Sequence, residues 1–487
     1  MKKLSHLQTN EGNTPNPHRW MALGLLALAQ FVIILDTSII GVALPTIQEH
    51  FGFSQSDLQW IFNAYVIIFG ALLLLGGRLS DIIGAKKIFI VGFIILTVAS
   101  IIAGLASSGS VLIAARAFQG LGAAFIAPSA LAIVMTLFGN NKIEMNKAMG
   151  IWGAAAPAGG TAGVFLGGII TAWIDWTWVF LINVPIGIVV LALAPKLLPK
   201  GIIQKGKIDF TGAVTMTSAL ILLVYAIVTA NDLGLTSFQT VITLSIAAAF
   251  FFAFIYMQTK KKEPLLPLNI FRTPNLLASN IVMGLLGAAW IPMWFFLNLY
   301  LQQILGYGAF ESGLALLPMT VAIMFLMIMM TPKMMNRFGI RKNMLVGMVL
   351  LSIAMFAFTM TPHSSTDKNI SLLIYVLPAS LIAAVGMSLA YIPVLTAAVS
   401  NIQQKHAGLG SGLINTSYQI GSALGLAIIV AWSSGQTKML IDSGISQLQA
   451  LNGGFHLAFT GAAIISVVAT SIIFTFIKKR VHKEVVN

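Results

Sequence analysis

Fourteen runs of mainly apolar residues, each about as long as a membrane-crossing helix requires, divide the chain. They lie near residues 20–44, 58–77, 88–107, 111–137, 148–172, 178–198, 209–230, 238–258, 275–300, 312–332, 343–361, 371–394, 408–432 and 456–477. None shows the period-two alternation of a barrel strand, and all are too long for one. The pattern predicts an all-α integral membrane protein with 14 transmembrane helices. The first run carries an exception. "QFVIILDTSIIGVALP" (Gln30–Pro45) holds Asp36 at its middle. A carboxylate at such depth costs about 2.5–3.5 kcal/mol on insertion scales, so it needs a reason to be there.

Composition supports the membrane reading. The chain is 57% hydrophobic and 9% charged, against roughly 25% charged in soluble domains. A net charge of +14 would suit nucleic acid if it were clustered, but the charges are scattered through short turns between apolar runs. With the N-terminus placed in the cytoplasm, every one of the 28 lysines and arginines except Arg116, Lys368 and Lys438 falls on the cytoplasmic side. The positive-inside rule then places both termini inside, with cytoplasmic tails at residues 1–19 and 478–487. The chain has no cysteine, which excludes disulfides and thiolate metal sites. The histidines lie in tails, loops and span ends. No metal, cofactor or enzymatic constellation is expected. A channel would need rings of pore-lining polar groups, and the runs offer one acid and one arginine at depth.

The chain repeats itself. "GGRLSDIIGAKK" (Gly76–Lys87) aligns with "TPKMMNRFGIRK" (Thr331–Lys342), pairing Gly84 with Gly339, Lys86 with Arg341 and Asp81 with Asn336. Each stretch follows the second run of a group. This predicts a six-helix bundle over 20–198, a second over 263–477, and two inserted helices with flanking loops over 199–262, for which a peripheral, lipid-facing role is expected.

These stretches carry a resemblance. "GGRLSDIIGAKK" resembles the loop 2–3 signature of the major facilitator superfamily, and "LIAARAFQGLGAA" (Leu112–Ala124) its fourth-span arginine motif. "GVFLGG" (Gly163–Gly168) resembles the fifth-span antiporter motif. "LDTSIIGVALP" and "WTWVFLINVPIG" (Trp176–Gly187) are similar to the fourteen-span drug:proton antiporter branch, as are "YLQQILGYGAFESGLALLP" and "GLGSGLINTSYQIGSALG". The chain departs from these motifs at Ile82 and Ala85, where Arg is usual, and at Val164, where Pro is usual.

The residues and the resemblance together give a set of expected roles. Asp36, a lone buried acid, is the candidate proton carrier, with Arg116 as its charge partner and Gln119, one turn on, as a hydrogen-bond partner or pocket residue. By resemblance, Gly77, Asp81, Gly84 and Lys86 form a gating loop that clamps the two halves. The small-residue stretch Gly150–Gly168, with Pro157, Gly163, Gly167 and Gly168, reads as packing and bending machinery. Trp290, Trp294 and Asn298 share a helix face, and with Tyr391, Asn415, Tyr418 and Gln419 they form the candidate substrate pocket. The resemblance implies a monomeric, proton-coupled exporter (antiporter) of amphipathic drugs or antiseptics in a bacterial plasma membrane. Its partners would be small amphipathic substrates, protons and the lipid bilayer, with no nucleic acid. A proton-driven lipid flippase of the same fold is the alternative.

Overall fold

The computed structural model describes residues 17–53, 55–199, 203, 209–234, 236–261, 264–362, 368–403 and 406–477. Both expected tails lie almost wholly outside these residues. Within them the fold is helical, without strands. In lipid every backbone N–H and C=O must be satisfied inside its own segment, and a helix does this. The first group comprises α1 (Arg19–Phe51), α2 (Gln55–Leu79), α3 (Ala85–Gly104), α4 (Gly109–Phe138), α5 (Lys142–Trp173), a single turn α6 (Trp178–Leu181) and α7 (Asn183–Leu197). Then come α8 (Phe210–Leu233) and α9 (Phe238–Lys260). The last group is α10 (Leu276–Leu299), α11 (Ala309–Phe325), α12 (Thr331–Phe338), α13 (Ile340–Phe358), α14 (Lys368–Ser371), α15 (Leu377–Val399), α16 (Ala407–Asp442) and α17 (Gln447–Phe476). Wider π-helical turns join α11 to α12 at Leu326–Met330 and α14 to α15 at Leu372–Val376.

Twelve of the described stretches are long and apolar enough to cross a membrane. One of them, Trp60–Gly104, runs 45 residues through both α2 and α3. The chain reverses between those two helices at Gly84, whose φ of +108° only glycine adopts without strain. α8 adds a shorter apolar stretch, Thr211–Ile227. α1 outlasts its apolar run and stops at Gly52 in the left-handed conformation, where the glycine N–H bonds back to Gln48.

The repeat is visible in contacts. α1 packs on α5 and α3 on α4. In the last group α10 packs on α16 and α13 on α15. Lys86 donates to the Pro195 carbonyl in the last turn of α7 (2.6 Å), and its aligned partner Arg341 donates to the Phe474 carbonyl in the last turn of α17 (2.6 Å). Both cations sit where the helix dipole is negative. Lys86, expected in the gating loop, therefore ties the loop to its own group of helices, because its long stem reaches the end of α7.

The inserted pair departs from a purely lipid-facing role. α9 packs on α8 and turns most of its surface outward. α8, however, packs against both α2 and α16, with Tyr225 stacked on Trp60 at 5.8 Å. Asp209 caps α8, accepting from the Gly212 amide (2.8 Å). It also takes Gln258 (2.9 Å), Lys261 and the Leu265 amide (3.3 Å), which ties the pair to the segment leading into α10.

Candidate functional site

Asp36 is 17 residues past the start of α1, about 26 Å along the helix at 1.5 Å per residue. It is 1% exposed. Close approach of α5 seals it. A Cβ on Gly163 would stand 2.7 Å from the Ser38 side chain and 2.9 Å from the Ile39 nitrogen, so only glycine lets the α1 backbone come this near. Gly159 meets the Phe31 carbonyl in the same way. The expected packing role of this stretch is thus tied to the acid. Pro157 lies inside an α5 that remains one helix, Gly167 offers its carbonyl to Thr171 (2.7 Å), and Gly168 is half-buried.

The carboxylate meets donors from two other helices, α4 and α7. Arg116 on α4 donates from Nη1 to Asp36 Oδ2 at 2.6 Å. Gln119 donates to Oδ1 at 3.1 Å and to Ser100 on α3 at 2.8 Å. Asn183, the first residue of α7, donates to Oδ1 at 2.6 Å. Arg116 is itself fully buried, which rules out snorkelling to the membrane surface. Its Nε donates to the Ile61 carbonyl (3.0 Å), its Nη1 also reaches Gln119 Oε1 (2.9 Å), and its guanidinium lies 4.5 Å from the centre of the Tyr65 ring. Thr37 and Ser38 both donate to the Ile34 carbonyl and leave the carboxylate alone. Two amide donors and a cation offset the desolvation of this acid.

The structure brings the expected Asp36, Arg116 and Gln119 together, and Gln119 bonds within the ion-pair network rather than beside the aromatics. The sequence reading missed Asn183 and Ser100. Asn183 stood in the quoted "LINVPIG", a lone amide in an apolar run, and that was the available signal. Ser100 had none, since serine is common in packed helices.

Asp81 forms a second constellation. Its two carboxylate oxygens accept from the Gly408 amide (2.7 Å) and the Leu409 amide (2.9 Å), in the first turn of α16. A carboxylate at a helix N-terminus is favoured by orphan amides and the dipole together. Gly77 makes this possible: a Cβ there would lie 2.3 Å from the Gly408 carbonyl. The aligned Asn336 accepts from Asn146 of α5 at 2.6 Å, and beside it Gly150 abuts the Met327 carbonyl. The two repeat loops thus latch the two groups of helices on opposite seams, one with a charge and one without.

The expected substrate residues are less unified. Trp290 and Trp294 meet edge to face at 6.3 Å, and Tyr391 and Tyr418 at 5.9 Å. Asn298 accepts from Gln302, and Asn415 donates to the Ser411 carbonyl. Gln419 sits where α16 crosses α2 at Gly70. A cavity of about 400 Å³ lies elsewhere, between α10, α16 and α17, and is lined by Phe295, Gln303, Ser433, Thr437, Lys438 and Phe455 among others. It includes none of the expected set. Glu311 accepts from the Gly308 amide (2.9 Å), as a helix-start acid does.

Residues 26–426 match the Major Facilitator Superfamily. The chain is 34% identical over 425 residues to the cephamycin export protein CmcT of Amycolatopsis lactamdurans, covering 86% of this chain and 85% of that protein. It is 32% identical over 445 residues to the puromycin resistance protein pur8 of Streptomyces alboniger, covering 91% and 87%. In structure it is similar to the human organic anion transporter MFSD10, with a TM-score of 0.67 at 14% identity over 94% of this chain and 100% of that one. With a repeated helical fold and a match spanning most of its length, this multi-pass membrane protein belongs to the Major Facilitator Superfamily.

Proposed function

We propose that the protein is a proton-coupled exporter of small amphipathic compounds, working as an antiporter in a bacterial plasma membrane. One observation carries the reading: a fully buried carboxylate–guanidinium pair joins α1 to α4 inside the bilayer, where ionisable residues are costly and mark function. The export and resistance relatives support the direction of transport. On this reading the chain crosses the membrane fourteen times, α2 and α3 counting separately and α8 included, with both termini in the cytoplasm.

The mechanism follows from charge. The Asp81 latch then lies at the cytoplasmic face and holds it shut, so Asp36 exchanges protons with the outside. Protonation removes the charge that holds Arg116, and a neutral carboxyl attracts a guanidinium far less in a low-dielectric site. α1 and α4 are then free to shift, the latch releases, and the halves rock inward. The proton leaves to the cytoplasm, and re-forming the ion pair favours return with substrate bound. The aromatic pairs of α10, α15 and α16 are the proposed contacts for flat or cationic substrates.

The test is Asp36→Asn in proteoliposomes. Uphill efflux driven by a proton gradient is expected to disappear, while substrate–substrate counterflow at equal pH persists. Retained uphill efflux by this variant would refute the reading.

A further inference from the structure

All groups within reach of Asp36 donate to it. Oδ2 accepts from Arg116, and Oδ1 accepts from Gln119 and Asn183. That arrangement suits an ion. A protonated carboxyl carries an O–H of its own, which needs an acceptor, because a buried donor without one costs the full desolvation of the group.

Few acceptors are available. Gln119 Oε1 is held by Arg116 (2.9 Å). Ser100 Oγ accepts from Gln119 (2.8 Å) and lies 3.4 Å from the Asn183 amide nitrogen. The Tyr65 hydroxyl is turned to the Ile33 carbonyl (3.3 Å). Asn183 Oδ1 is different. It is buried and has no hydrogen-bond partner, on a residue only 1% exposed. The oxygen and nitrogen of an asparagine amide are nearly the same size. A half-turn of this amide would place its oxygen 2.6 Å from Asp36 Oδ1, at the position its nitrogen holds. Gln119 cannot turn likewise without also losing its bond to Arg116.

We infer that Asn183 is a positioning residue for proton exchange, its side-chain amide donating to Asp36 when the acid is ionised and turning over to accept from it when protonated. The proton comes from the aqueous phase and forms the O–H bond on Asp36, and Asn183 neither gains nor loses one. The charged or titratable side chains facing Asp36 are Arg116 from α4 and Tyr65 from α2. α3, α5 and α7 carry their charged residues at the Asp81 end. Asn183 begins its helix just after the single turn α6, so a change in its bonding bears on where α7 starts. The inference rests on the proton-coupled reading above.

The experiment compares Asn183→Leu, similar in size but without polar atoms, with the unaltered protein and with Asp36→Asn, all in full-length protein in proteoliposomes. Two quantities are read: uphill efflux against counterflow at equal pH, and the infrared carboxyl C=O band that appears on acidification and is absent from Asp36→Asn. Asn183→Leu is expected to lower uphill efflux about tenfold more than it lowers counterflow, the worth of one buried hydrogen bond, and to move the C=O band to the frequency of a carboxyl whose O–H is unbonded. Should Leu prevent insertion, Asn183→Ser is read the same way, and its smaller hydroxyl is expected to move the band less. An unmoved band, or an equal fall in uphill efflux and counterflow, would overturn the inference. If Asp36→Asn itself keeps uphill efflux, it is the proton-coupled reading that fails.

Discussion

A guanidinium and a carboxylate sealed from water offset each other's desolvation, and losing either one costs stability. Asp36 and Arg116 lie 2.6 Å apart with almost no exposure. Replacing one partner of such a pair leaves an uncompensated buried charge, at a cost of about 3–5 kcal/mol. Arg116→Ala should therefore lower the thermal unfolding midpoint in detergent markedly, and the same change made in an Asp36→Asn background should lower it less. Equal losses in both backgrounds would mean the pair is not coupled. The pair was legible in the sequence because a charge in an apolar run is rare and costly. Its amide and hydroxyl partners were not, because neutral polar residues pass through helices at little cost and leave no pattern. The Gly163 approach that seals Asp36 was legible only as a tendency to pack closely, since a glycine in sequence does not name what it touches.

At the scale of elements, α8 and α9 are fixed at one end by a single acid. Burial pushes the Asp209 carboxyl up, but Lys261, Gln258 and the amides of Gly212 and Leu265 outweigh it and hold the group down at about 2, below its usual 3.8. A lowered value means that the folded state favours the ionised form. The stabilisation is therefore complete above pH 3.8 and is lost as pH falls through about 2. Amide hydrogen exchange at Gly212 and Leu265, corrected for its intrinsic pH dependence, should rise over that window, and in Asp209→Ala it should already be raised at neutral pH. The helices themselves were largely legible, because about 20 apolar residues in succession have few other uses. Their ends were less so. α16 runs 36 residues, about 54 Å, well beyond the roughly 30 Å of hydrocarbon, and its final turns are too polar for hydropathy to follow. The packing of α8 against α2 and α16 was hidden as well, since a helix that is apolar all round does not say which side meets protein and which meets lipid.

For the whole molecule, two latches with different chemistry join the two groups of helices. The Asp81 carboxylate holds two backbone amides of α16, while Asn336 holds a single side-chain amide. Charge-assisted hydrogen bonds are roughly twice as strong as neutral ones. Asp81→Ala should slow turnover several-fold more than Asn336→Ala. Because the chain has no cysteine, a Ser411→Cys probe at this buried seam reports opening directly. It should label faster with a membrane-permeant maleimide in the Asp81→Ala background than in the Asn336→Ala background. Equal labelling would reduce both loops to tethers.

The placement of α8 makes the transporter one-sided. On the proposed rocking motion, two clefts would open toward the lipid, one between α2 and α16 and one between α5 and α11. The first is boarded over by α8, and no described helix outside the two main groups covers the second. On that reading a compound dissolved in the bilayer would have a single doorway, beside α5. Crowding that doorway with bulky side chains should slow the export of lipid-soluble compounds more than that of water-soluble ones, whereas the same crowding beside α2 should not discriminate between them.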